Sequence, residues 1–234
     1  PHVEENLRLD LSVGAELHRV STWPAVITKM STLSAGLRAR GHTPYRVAYG
    51  GSSSTGTLGY VEAAFELAEQ IATGDCPEPE AVYVALGSGG TAAGLAIGLA
   101  ASGLTTKVRA VRVTPRLVCN RATIATLVAN TMRTLRKTAP SFPAVTRAAL
   151  GAIELEHDFY GSGYGGADAR AAQASVLANQ EGLTLDGTYT ARAMAALLRD
   201  APRTQRPLMF VNTLSSADQT ERLADAPPLP DWAT

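Results

Sequence analysis

The segment VYVALGSGGTAAGLAIGLAASG, residues 82–103, constrains this chain more than any other stretch. Its opening run, 81–86, is short, apolar and β-branched, and a glycine cluster bounds it. Such a run reads as a strand buried on both faces, as in parallel sheets. Residues 92–101 then read as helix. A strand that hands over to a helix through Gly87, Ser88, Gly89 and Gly90 leaves the first N–H groups of that helix without partners. Those groups point at one spot, with the positive end of the helix dipole behind them. Anions collect there: the three glycines carry no side chain to hold a ligand off, and the hydroxyls of Ser88 and Thr91 add donors for a phosphate. The same residues equally suit a plain strand–helix turn with Thr91 as N-cap, and the glycine pattern alone does not choose.

Two phosphate ligands can be weighed locally. A nucleotide P-loop needs a Lys before the hydroxyl residue, and Gly90 precedes Thr91, so that reading fails. Gly87-x-Gly89-x-x-Ala92 satisfies a relaxed dinucleotide fingerprint, but NAD needs an acidic residue on the ribose about 20 residues on. No Asp or Glu occurs between Glu80 and Glu154. Arg112 and Arg116 would tolerate a 2′-phosphate, which keeps an NADP-binding domain as a weaker alternative.

A chain of 234 residues can bury a sizeable core. Lys plus Arg and Asp plus Glu balance at 21 each, so no overall field points to nucleic acid or to an anionic membrane. The acid-free stretch carries Lys107, Arg109, Arg112, Arg116, Arg121, Arg133, Arg136, Lys137 and Arg147, which reads first as a solvated face or subunit contact. Cys76 and Cys119 have no metal or redox spacing, and His2, His18, His42 and His157 form no zinc pattern, so metal chemistry is not expected. No signal peptide is visible, and the most apolar run, 95–104, is too short and glycine-rich to span a bilayer. A cytoplasmic protein is expected. Lys29, Lys107 and Lys137 are the only lysines.

Strand-like and helical runs alternate along the chain. The expected strands are 15–20, 45–50, 81–86 and 107–113, with further ones in AIELEHDFYG and RPLMFVN; helices fall near 25–40, 57–72, 92–101 and 117–137, then in RAAQASVLANQEG and TARAMAALLRD. This is an α/β pattern with a mainly parallel, twisted sheet flanked by helices. The first helix and strand find no partner strands before them, so they read as the end of a domain whose start lies elsewhere. The division expected is 1–48 as a remnant of a small domain, 49–225 as the large domain, and 226–234 as a Pro-rich tail.

Several segments in order, NLRLDLSVGAELHRV, RGHTPYRVAYGGSSSTGTLGYVEAAFELAEQ, ALGSGGTAAGLAIGL, FYGSGYGGADA, NQEGLTLDGTYTARAMAALL and RPLMFVNT, are similar to the fold-type II pyridoxal-phosphate enzymes grouped around D-cysteine desulfhydrase and 1-aminocyclopropane-1-carboxylate deaminase. The resemblance implies a tryptophan-synthase-β-like fold with an incomplete small domain. It implies that the phosphate of pyridoxal 5′-phosphate sits at Gly87, Ser88, Gly89, Gly90 and Thr91. By the same matching, Tyr164 and Tyr189 correspond to active-site tyrosines, and a phenol near a protonated cofactor has its pKa lowered enough to move protons. Without the resemblance, either tyrosine reads as a core ring with a satisfied hydroxyl. Thr213 matches the hydroxyl residue facing the pyridine nitrogen. The loop 50–56 matches a Gly/Ser-rich segment beside the active site, though its SSST is unusual there, and Asn212 and the residues after Thr213 depart from the family's small, Gly-rich ending.

The larger departure is a lysine. The family carries its Schiff-base lysine in a Gly-Gly-Asn-Lys segment, and a Ser-Asn-His segment for the substrate carboxylate, both upstream of the matched region; neither occurs here. Lys29, Lys107 and Lys137 match no cofactor position and read as surface lysines. The expectation is the cofactor-cradling part of a lyase or deaminase acting on a small amino acid, in an oligomer, with a second polypeptide or fragment completing the small domain and supplying the lysine. A pseudoenzyme or regulatory subunit that kept the fold is the alternative.

Overall fold

The computed structural model describes residues 2–233. In chain order the elements are α1 (His2–Ser12), α2 (Trp23–Ala39), α3 (Leu58–Thr73), β1 (Ala81–Leu86), α4 (Gly90–Ala101), β2 (Lys107–Arg112) and α5 (Arg121–Thr138). They continue with α6 (Thr146–Ala152), β3 (Ile153–Glu156), α7 (Ala169–Gln180), α8 (Thr190–Asp200), β4 (Leu208–Phe210) and α9 (Thr220–Ala224). The chain forms two compact units, Pro1–Val47 with Ser215–Thr234, and Ala48–Leu214. The expectation had drawn its lines at 48/49 and 225/226. In the first unit, Arg8 donates to the Leu223 carbonyl at 2.7 Å, tying α9 to α1.

The second unit is built on a parallel sheet of order β3-β2-β1-β4. β1 lies inside it, with Val82 opposite Val108 on one side and Met209 on the other. Because side chains alternate across a strand, β1 feeds two cores. Val82, Val84 and Leu86 pack with residues of α3, α4, α5 and α6, whereas Ala81 and Tyr83 pack with Phe159 and the alanines of α7 and α8. This three-layer arrangement is why the run reads as continuously apolar rather than alternating.

Two glycines in α4 set its distance from α3. A Cβ on Gly94 would lie 2.6 Å from the Thr57 carbonyl oxygen, and one on Gly98 would lie 2.5 Å from that of Val61. The helices therefore meet backbone to backbone.

The strands expected at 15–20 and 45–50 do not form; among the described residues neither segment pairs with another strand, and Tyr49–Gly51 is a short 3-10 turn instead. A β-prone run without a neighbour has no ladder for its N–H and C=O groups, and 77% of Tyr45 and 62% of Val47 stay exposed. The helix expected from 117 begins at Arg121. Asn120 stops it from starting sooner by capping the Ala122 and Thr123 N–H groups at 2.9 and 3.1 Å, with Thr123 returning the capping-box bond. No helix among the described residues is long and apolar enough to cross a membrane.

Candidate active site

β1 has its next strand, β2, on one side and β4 on the other. The crevice beyond the carboxyl ends of two such neighbours is where open α/β sheets bind ligands. There, at the ends of β1 and β4, lies a cavity of about 330 Å³. It is lined by Gly87, Ser88, Gly89, Gly90, Thr91, Tyr164, Tyr189 and Thr213, all eight residues singled out in the sequence. Tyr49 and Ser52 also line it, and neither was singled out.

The glycines of the turn have reasons that differ from the one expected. Gly89, the N-cap of α4, has φ +99° and ψ −5°, a backbone region that side-chain-bearing residues avoid. Its Cβ would not face a ligand; it would lie 3.3 Å from Cys119 Sγ and 3.5 Å from Ile124 Cγ1, in the core. A Cβ on Gly87 would meet the Tyr189 ring at 3.3 Å, and one on Gly90 would meet Ser52 Oγ at 2.7 Å. Each glycine is small because another part of the protein presses on it. Burial also pushes the Cys119 thiol up from its ordinary range, which makes it a packing group.

Ser52 is the contact that sequence reading missed. Its Oγ accepts from the Gly90 N–H at 2.9 Å and bonds Ser88 Oγ at 2.7 Å. One of the unpaired donors at the start of α4 is thus already engaged by the loop 50–56. The resemblance had placed that loop beside the active site, but nothing in it singled out which of its three serines makes the contact.

Asp186 fixes the second tyrosine. Its carboxylate accepts from the N–H groups of Thr188, Tyr189 and Thr190 at 3.0, 2.7 and 3.0 Å, seating the start of α8. Tyr189 then meets Tyr164, hydroxyl to hydroxyl at 2.5 Å, with the rings edge to face. Burial first, and then the bond to Tyr164, push the Tyr189 phenol well above its ordinary pKa. Burial and the neighbouring Tyr164 raise that of Tyr49 as well. The lowered phenol pKa expected near a protonated cofactor is therefore not the state of the protein alone, in which Tyr49 and Tyr189 are neutral at pH 7.

The 2′-phosphate role allowed for Arg112 is not open to it. Its guanidinium donates to His157 Nδ1 at 3.0 Å and to the Thr114 carbonyl at 2.7 Å, and it stacks over Tyr160. No lysine is among the cavity's lining residues. Lys107 stands at the opposite end of β2 and donates to the Gly151 carbonyl, Lys137 is exposed in the last turn of α5, and Lys29 lies on α2.

Residues 2–213 match the family described as Pyridoxal-phosphate dependent enzyme. The chain belongs to this family. Among its relatives is the D-cysteine desulfhydrase of Klebsiella pneumoniae (strain 342), 32% identical over 221 residues that cover 88% of this chain and 61% of that protein. The D-cysteine desulfhydrase of Salmonella paratyphi C (strain RKS4594) is 34% identical over 198 residues, covering 79% of this chain and 54% of that one. The chain thus spans little more than half the length of these relatives. A crystal structure described as the ACC deaminase homologue shares the fold, with a TM-score of 0.72 at 24% identity over 94% of this chain and 65% of that one.

The cofactor of this family is pyridoxal phosphate. The cavity fits its phosphate end: the amino terminus of the 12-residue α4 opens into it with the hydroxyls of Ser88, Thr91 and Ser52, and no carboxylate is among the lining residues.

Proposed function

We propose that this chain is the cofactor-holding part of a pyridoxal-phosphate-dependent lyase or deaminase that acts on a small amino acid, in the manner of D-cysteine desulfhydrase or ACC deaminase. The observation that carries the reading is the convergence of the glycine turn, both tyrosines and Thr213 on one cavity at the ends of β1 and β4. The remaining N–H groups at the start of α4, with the Ser88 and Thr91 hydroxyls, hold the phosphate. Thr213 offers the ring nitrogen a neutral hydroxyl, which does not keep that nitrogen protonated as a carboxylate would. When bound, the cofactor supplies an electron-withdrawing ring that eases loss of a proton or leaving group from the substrate. Tyr189, neutral and bonded to Tyr164, would give a proton to the substrate's reacting carbon or leaving atom and recover one through Tyr164.

The lysine that bonds the cofactor comes from outside these 234 residues, on a second polypeptide or another part of the same protein. Assembly into an oligomer and a cytoplasmic setting belong to the same proposal.

Titrating pyridoxal phosphate into the protein, with inorganic phosphate as competitor, tests the reading. Saturable binding that phosphate weakens is expected, and no binding refutes it. Borohydride reduction with peptide mapping tests the lysine: fixation to Lys29, Lys107 or Lys137 together with sulfide release from D-cysteine, or ammonia release from ACC, overturns the outside origin. In the completed enzyme, Tyr164→Phe and Tyr189→Phe should each lower turnover about 10²-fold or more. If no lysine-bearing partner restores turnover, the pseudoenzyme reading replaces this one.

A further inference from the structure

Arg192 lies three residues beyond Tyr189 in the first turn of α8, and none of it is exposed. A buried guanidinium normally has a carboxylate beside it. Among the described residues Arg192 has none. It donates instead to three backbone carbonyls, those of Tyr160 at 2.7 Å, Gly163 at 3.0 Å and Gly166 at 2.5 Å. All three belong to the loop 160–166, which carries Tyr164. Positive φ values at Gly161, Gly163 and Gly165 (60°, 130° and 69°) curl this loop. Tyr164 itself is 53% exposed, so burial does little to hold its ring. Its place follows from the backbone on either side of it, and Arg192 grips that backbone at both ends and in the middle. The same α8 carries the arginine and follows directly on Tyr189, so one side chain relates the two tyrosines to each other.

We propose that Arg192 is a positioning residue that sets the Tyr164–Tyr189 contact by clamping the loop 160–166 to the start of α8. The inference rests on the reading of that tyrosine pair as part of the cofactor site, but its geometry can be tested apart from it. Lys keeps up to three donors in reach of the carbonyls, whereas Met fills the space and leaves all three unpaired.

The test labels the tyrosine rings at Cζ with ¹³C and follows the Tyr189 resonance when Tyr164 is replaced by Phe. In the wild-type and R192K backgrounds Y164F should shift that resonance. In R192M the shift should vanish, while the resonance of Tyr83, whose hydroxyl bonds Asp200 at the other end of α8, stays in place and reports an intact fold. A Tyr189 response to Y164F that persists in folded R192M overturns the clamp. If R192M does not fold, R192L, which also lacks any donor, is read the same way. Pyridoxal phosphate should bind about tenfold or more weakly to R192M, the scale of a misplaced site group, and within about threefold of wild type to R192K. Unchanged affinity in R192M despite a lost resonance response overturns the functional part of the inference. Failure of the wild type to bind pyridoxal phosphate refutes the cofactor reading and leaves the resonance experiment to decide the clamp.

Discussion

Replacing Gly89 with Ala separates two uses of the glycine turn, room for a ligand and room for the protein. The structure sends the new methyl into the core, 3.3 Å from Cys119 Sγ. At φ +99° a side-chain-bearing residue costs about 1–2 kcal/mol relative to glycine. Crowding against a buried sulfur that has little freedom to withdraw adds about 1 kcal/mol, at the low end for overpacking. Restricting the unfolded chain returns about 0.4–1 kcal/mol. The net is a loss of about 1–2.5 kcal/mol, a sizeable part of a typical domain's stability. Urea denaturation measures it, with Cys119→Ala as the second arm of a double-mutant cycle. In the Cys119→Ala background the crowding disappears and the backbone strain stays, so Gly89→Ala should cost roughly 1 kcal/mol less there. Phosphate affinity of the folded protein should change little, because the methyl does not enter the cavity. A Gly89→Ala protein as stable as wild type that has lost phosphate binding would refute the reasoning and restore the ligand-clearance role.

Gly98→Ala should destabilise the protein by about 1–3 kcal/mol, because the new methyl meets the Val61 carbonyl and Ala64 at 2.5 Å; the same change at the open position Gly59 should be neutral or slightly stabilising, and thermal melts of both compare them directly. Arg199 bonds Glu156 and Asp200 at 2.6 and 2.7 Å. It holds Asp200 below the usual carboxylate range, and, with the Asp158 N–H, does the same for Glu156 against the opposing push of burial. Folded carboxylates with depressed pKa stabilise above the unfolded value, so that stability should be present above about pH 4 and drain away below it, and Arg199→Met should flatten the acid limb of a Tm-against-pH curve. Cys119 is fully buried with its thiol pKa raised while Cys76 is partly exposed, so a thiol reagent should modify Cys76 in the native protein and Cys119 only on unfolding.

The α/β layering was legible because its signals are local. The run 81–86 is apolar at every position, as a central parallel strand must be, and it forms over those very residues. The strands expected at 15–20 and 45–50 failed because propensity reports what a segment would do beside a neighbour and carries no word of whether one exists. The eight residues proposed for the site were singled out through ordered motifs and line one cavity, yet the glycines' physical reason was not legible, since Cys119, Ser52 and Tyr189 approach them from distant positions. Arg192 was invisible for the same cause: its partners are backbone carbonyls, which leave no mark in side-chain identity.

The contact between α3 and α4 has a bearing on how a ligand is received. Where Gly94 and Gly98 touch the Thr57 and Val61 carbonyls there are no side-chain rotamers to rearrange, so the start of α4 is held by parts that do not adjust. On the proposed reading, an anion arriving at the N–H groups left free there would find them already set, with little disorder to be frozen as it binds. Association there should be a single fast step whose calorimetric entropy reflects released water rather than an ordered loop.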